Sequence, residues 1–147
     1  MFVVDSNILV YAANSHAPEN AKCRGLLDAW WPQAGAWFLT WGICYEFLRV
    51  STHPRVFPSP LSSLESWSFL ETLLSSPGMQ MLMPTDRHAA MLAQVLREVP
   101  LLSGNSMHDA ETAVLMREHG IRRIYTRDTD FQRFPFVEPI DPLTQPA

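Results

Sequence analysis

The sequence predicts an α/β fold: a parallel sheet covered by helices, built as one domain. Three observations carry that expectation. Short apolar runs alternate with helix-periodic segments along the whole chain. The early runs, Phe2-Val3-Val4 and Ala36 to Leu39, are apolar at every position, as strands buried on both faces are. A length of 147 residues suits a single domain that buries its core without a disulfide or metal staple.

The elements follow in order. Phe2-Val3-Val4 ends at Asp5, and Ser6 to Ala13 reads as a short helix with Ile8, Leu9 and Ala12 on one face. Pro18-Glu19 opens a second helix through Ala21, Leu26, Leu27 and Trp30, closing near Pro32 and Gly35. Ala36 to Leu39 is the second strand, and Thr40 caps a helix to about Ser51. Residues 52–60 contain Pro54, Pro58 and Pro60, so this stretch is an extended connector. Ser62-x-x-Glu65 is a capping box for a helix through Leu64, Trp67, Leu70, Leu73 and Leu74.

Pro77-Gly78 turns the chain into a strand from Met79 to Met83, whose alternating methionines mark one buried face. Thr85 to Val99 is a helix and Ser103-Gly104-Asn105 a loop. Ser106 caps a helix to His119, which Gly120 stops. Arg122 to Thr126 is a strand, and a last short one includes Phe136 and Val137. The domain is expected over 1–142, with a short tail over 143–147.

Composition removes several classes. Apolar residues make up 47% and charged residues 18%, which excludes a disordered chain. No apolar run reaches membrane-spanning length, and the amino terminus lacks the basic region of a signal peptide. Cys23 and Cys44 fit neither a bridge framework nor a zinc knuckle, and reduced thiols suit a cytoplasmic protein. The net charge of −4 is not that of a general nucleic-acid binder. Ten of the eleven cations are Arg, the residue that binds phosphate bidentately.

In parallel sheets ligands gather beyond the carboxyl ends of the strands. In this chain those positions carry acids. Asp5 follows the first strand and also suits a helix N-cap. Glu46 sits between Tyr45 and Phe47 on an apolar helix, where it is either a partly buried functional carboxylate or the i,i+3 partner of Arg49. Asp109 is the fourth residue of Ser106-Met107-His108-Asp109, itself a capping-box pattern. Asp128 and Asp130 follow the strand ending at Thr126, where turn chemistry also favours Asp. Each acid has an ordinary explanation, but the placing of all of them next to strand ends or on the helices that follow does not.

The run Val3-Val4-Asp5-Ser6-Asn7-Ile8-Leu9-Val10-Tyr11 resembles the opening of PIN-domain proteins. Glu46-Phe47-Leu48-Arg49-Val50, Ser106-Met107-His108-Asp109-Ala110 and Thr126-x-Asp128-x-Asp130-Phe131 resemble their later motifs. Pro54-Arg55-Val56-Phe57-Pro58 is similar to a connector in a subgroup of VapC toxins from toxin–antitoxin operons. The resemblance extends from Phe2 to about Pro142. It implies a three-layer α/β/α sandwich, PIN-like, and a metal-dependent endoribonuclease leaving 5′-phosphate and 3′-hydroxyl ends.

Carried over residue by residue, the catalytic and metal-site acids are Asp5, Glu46, Asp109 and Asp128, with Asp130 a further metal ligand or an outer one. Ser6, Asn7 and Thr126 match site-orienting groups. Ser6 stands where Thr is commoner, and Arg127 before Asp128 departs from the usual pairing. The implied cofactor is Mg²⁺, with Mn²⁺ as a substitute, because all-oxygen sets select hard cations. Arg49, Arg127 and Arg133, with Arg55, Arg122 and Arg123, are candidates to grip RNA phosphates. The implied partners are an RNA substrate, a VapB-type antitoxin and a second copy in a homodimer. Trp30, Trp31, Phe57 and Pro58 are candidates for the apolar contact surface with core packing as the alternative, and core packing is the reading taken for Trp67.

Rival chemistries lack their residues. A haloacid-dehalogenase-type phosphatase needs Asp where Asn7 stands, and a receiver domain needs a late Lys where Lys22 is the only lysine. No GxGxxG or Walker A lysine is present, and nothing pairs the five His as acid and base. The remaining alternative is a catalytically silent PIN-fold binding or assembly protein. That reading expects some of the acids to be replaced, and all are present.

Overall fold

The computed structural model describes residues 1–144; within the expected tail, 145–147 lie outside the described residues. The chain alternates β1 (Phe2–Val4), α1 (Ser6–Ala13), α2 (Asn20–Trp30), β2 (Trp37–Leu39), α3 (Trp41–Ser51), α4 (Ser63–Leu74) and β3 (Met79–Met81). It continues through α5 (His88–Glu98), α6 (Ser106–Glu118), β4 (Arg123–Tyr125), a 3₁₀ turn (Thr129–Arg133) and β5 (Glu138–Ile140). Every strand pairing is parallel, in the order β3-β2-β1-β4-β5. The crossovers β1–α1–α2–β2 and β2–α3–α4–β3 run one way along the sheet, and β3–α5–α6–β4 runs back. Right-handed crossovers of that kind put the two sets of helices on opposite faces. This is the expected α/β/α sandwich, and no helix among the described residues is long and apolar enough to cross a membrane.

The strand order positions the site. The chain runs outward from β1 through β2 to β3, then returns to place β4 on the other side of β1. That reversal opens a crevice at the carboxyl ends of β1 and β4. The register sets Val4 beside Tyr125, so Asp5 and Thr126 are the next residues on adjacent strands. An N–H···O bond of 3.0 Å from Asp5 to the Tyr125 carbonyl extends the ladder to that point.

The core explains the local choices. Val3, Val4, Trp37 and Leu39 are fully buried, as central strands with two covered faces must be. Trp30 packs against Phe2 and Tyr125, with ring centroids 4.9 and 5.0 Å away. Trp30 and Phe57 are therefore buried core residues and not the contact surface expected of them; Trp31 and Trp67 are half-buried. Of the alternating methionines, Met79 is buried but Met83 lies beyond the strand and is exposed.

The capping box at Ser62 and Glu65 forms as expected, as does the Thr40 cap, whose hydroxyl accepts the Ile43 N–H at 3.0 Å. Gly120, at φ +70°, ends α6 with paired bonds from Ile121 to Met116 and from Gly120 to Arg117. The expected cap by Ser106 does not form. Ser106 is the first helical residue, and its hydroxyl bonds the Ser103 backbone instead.

Helix α5 starts three residues later than its periodicity suggests, because Glu118 holds both the N–H and the hydroxyl of Thr85, at 3.0 and 2.6 Å. Burial pushes the Glu118 carboxyl up, but these bonds and His88 outweigh it and leave the group below its usual range. The last strand lies at 138–140 and not at Phe136-Val137, which close a turn onto Phe134. Pro139 disguises it, and an edge strand tolerates a missing N–H.

Gly78 lies against the end of α2, where a Cβ would sit 2.5 Å from the Gln33 carbonyl oxygen and 2.8 Å from that of Trp30. Backbone atoms cannot step aside there. Gly78→Ala is expected to destabilise the fold by about 1–3 kcal/mol, read as a lower urea midpoint at an unchanged slope.

Candidate metal centre

The site is built from the carboxyl edge of β1 outward. Asp5 is buried and caps α1, accepting the Ser6 N–H on Oδ1 at 2.7 Å. Its Oδ2 accepts from the Thr126 hydroxyl at 2.7 Å and from the Asn7 amide at 3.1 Å. The same Thr126 oxygen accepts from Asn7 at 3.0 Å and from the Asp128 N–H at 3.0 Å. One hydroxyl therefore ties the acid after β1 to the acid after β4. Asn7 Oδ1 completes the tie by accepting the Arg127 N–H at 3.2 Å.

Three carboxylates crowd beside this network. Oxygens of Asp109, Asp128 and Asp130 all lie within 4.8 Å of one another. Asp128 caps the 3₁₀ turn by accepting the Asp130 N–H at 2.8 Å, so the turn chemistry and the clustering are one arrangement. Asp109 comes from the first turn of α6, and since Ser106 forms no box with it, its carboxylate accepts no hydrogen bond among the described residues. Burial first, then the charges of Asp128, Asp5 and Asp130, push the Asp109 carboxyl up to about 7 against the weaker pull of Arg133. Asp5 is also raised, chiefly by burial, against the lowering effect of its bonds from Thr126 and Ser6.

Glu46 stands at the margin. Its side chain is 41% exposed and holds Arg49 in a two-pronged pair at 2.6 and 3.0 Å. Its charge still bears on Asp5. The structure shows the i,i+3 pair with Arg49, and Glu46 stands outside the group formed by Asp109, Asp128 and Asp130. Arg127, expected near the phosphate path, turns its guanidinium to Asp141 at 3.2 Å and Glu19 at 3.7 Å. Nothing local in the sequence signals that engagement, since the two acids lie far along the chain on either side. Asp130, the least certain acid by sequence, belongs to the tightest group.

The donor set decides what fits. Oxygen ligands without nearby thiol or imidazole suit a hard divalent cation and not zinc. Like charges held this close, one raised to about 7, are what such a cation relieves.

The PIN domain family model matches residues 2–137. The chain is a PIN-domain protein. Among the curated relatives of this PIN domain is VapC ribonuclease Mb2897 of Mycobacterium bovis, 33% identical, covering 91% of this chain and 90% of that one. Ribonuclease VapC48 of Mycobacterium tuberculosis is 29% identical over 95% of this chain and 96% of its own length. In fold it is similar to a chain of VapBC2 from Rickettsia felis, solved with a DNA fragment from the promoter. That match has a TM-score of 0.65 and 18% identity over 95% of this chain and 96% of the other.

The raised Asp109 carboxyl has a pH consequence. Its proton is bound more tightly in the folded chain than in the unfolded one, so this group's stabilisation is full below about pH 3.8 and is lost as pH rises through 7. A divalent cation competes for the same carboxylate. Calorimetric Mn²⁺ titrations should show affinity falling as pH drops below about 7 and levelling above it, with a proton released. Asp109→Asn should remove most of that dependence.

Proposed function

We propose that this chain is a metal-dependent endoribonuclease, the toxin of a VapC-type toxin–antitoxin pair. The observation that carries the reading is the meeting of Asp109, Asp128 and Asp130 beside the Asp5–Thr126 link at the strand-order reversal, in a PIN domain. The curated relatives named as ribonucleases support the reaction type. Both cysteines are buried free thiols, which suits a cytoplasmic protein.

Asp109, Asp128 and Asp130 would hold the cation, with Asp5 beside them and the charge of Glu46 bearing on Asp5. Mg²⁺, or Mn²⁺ in its place, would supply Lewis-acid stabilisation of the charge that builds on phosphate oxygens during hydrolysis. The chain's own groups do the rest. Thr126 fixes the orientation of Asp5 and of the Asp128 backbone with a single hydroxyl, so the two acids are preorganised together. Asn7 locks that hydroxyl from the side and ties down the residue before Asp128. Without the cation the Asp109 carboxyl is held up to about 7, and on cation binding it would give up its proton and become an ionised ligand.

The similarity to a VapBC structure supports a VapB-type antitoxin as partner. For the homodimer, a groove between α3 and α4 is lined by the exposed Tyr45 with Leu48 and Trp67, and the exposed Leu64 follows its lining residue Ser63 in α4. This face replaces the surface expected around Trp30 and Phe57.

Two experiments test the reading. Purified protein should cut RNA in Mg²⁺ and stop in EDTA, and Asp5→Asn should lower cleavage to background while circular dichroism stays native. Thr126→Val, which keeps the shape but cuts the shared hydroxyl, should cost roughly 10–100-fold in metal affinity or activity. A folded Asp5→Asn chain with full activity would refute the assignment. Leu64→Glu should convert a dimer to a monomer in light scattering if the α3/α4 face joins the two copies.

A further inference from the structure

The arginines expected to meet RNA differ sharply in their surroundings. Arg49 is paired with Glu46, and Arg127 is held by Asp141 and Glu19. Arg122 and Arg123 lie at the start of β4, the end of the sheet opposite the acids. Arg133 is the last residue of the 3₁₀ turn. Residues three apart on such a turn share a face, which puts Arg133 on the same side of the turn as Asp130. The turn packs against α6, the helix that carries Asp109. Arg133 is exposed, and among the described residues its guanidinium makes no ion pair or hydrogen bond. Its charge is felt at Asp109.

A polyanionic substrate approaching four or five carboxylates needs a compensating cation at the rim. Guanidinium is well suited, because its planar fork donates two parallel N–H bonds to a phosphate. We propose that Arg133 is a substrate-contact residue whose guanidinium binds a backbone phosphate of single-stranded RNA at the solvent edge of the acid cluster. The proposal takes its substrate from the ribonuclease reading. It also explains why an arginine on the turn that carries Asp130 keeps its donors free: the partner they fit comes from solution.

The test is equilibrium binding of a fluorescently labelled single-stranded RNA to the full chain carrying Asp109→Asn, in Mg²⁺, over a range of KCl. Arg133→Ala in that background should weaken binding roughly tenfold at moderate salt. It should also flatten the slope of log affinity against log salt by about 0.7, the contribution of one single-strand phosphate contact. Arg133→Lys should recover the slope but not the full affinity. In the otherwise native chain, Arg133→Ala should raise KM and leave kcat nearly unchanged.

An unchanged salt slope in Arg133→Ala, with only Mn²⁺ affinity rising, would overturn the proposal and leave Arg133 a counter-charge for the acids. Cleavage by the native chain is scored separately. A chain that binds RNA through Arg133 without cutting it defeats the ribonuclease reading and upholds the phosphate contact. A chain that cuts RNA with an Arg133-independent slope does the reverse.

Discussion

The Thr126 hydroxyl, donating to Asp5 and accepting from the Asp128 backbone, joins the two strands on either side of the sheet's reversal point. Its position follows from the register of β1 against β4, which sets Asp5 and Thr126 on neighbouring strands one residue beyond the paired segment. A slip of one residue would turn Asp5 toward the other face of the sheet. Val3, Val4 and Ile124 are fully enclosed, and the bond from the Asp5 N–H to the Tyr125 carbonyl pins the register at its carboxyl end. The order of causes therefore runs from an apolar strand, to its register, to one hydroxyl, to two carboxylates.

The acids around that hydroxyl illustrate how folding stores unfavourable charge. Asp109 accepts no hydrogen bond among the described residues and is pushed up by burial and by its acidic neighbours, whereas Glu118 at the other end of the same helix is well supplied with donors and is lowered. Both are carboxylates on α6. The structural one is satisfied, and the candidate functional one is left electrostatically strained. That contrast is expected where a fold preorganises a site for a cation or a phosphate and not for its own stability.

Much of this was legible in the residues. The Ser62/Glu65 box, the Thr40 cap and the Gly120 stop depend on backbone groups a few positions away, so their chemistry is local and readable. Features that depend on distant partners were not. Ser106 looked like a cap but bonds the preceding loop, Thr85 looked helical but is held by Glu118, and β5 hides behind Pro139 at the sheet edge. Trp30 and Phe57 looked like contact surface because hydrophobicity alone does not say which side of a helix or connector the core will cover.

The sequence by itself determined the alternation of buried strands and capped helices, the family, and the acids that stand next to strand ends. Those are consequences of residue type and spacing, which act over a few positions. Only the tertiary structure decided that Asp130 sits in the tightest group while Glu46 stays with Arg49, and that Arg127 pairs with Asp141 while the charge of Arg133 bears on Asp109. Such choices are made between side chains brought together by the parallel pairing of β1 and β4, and electrostatic energy depends on those distances in space.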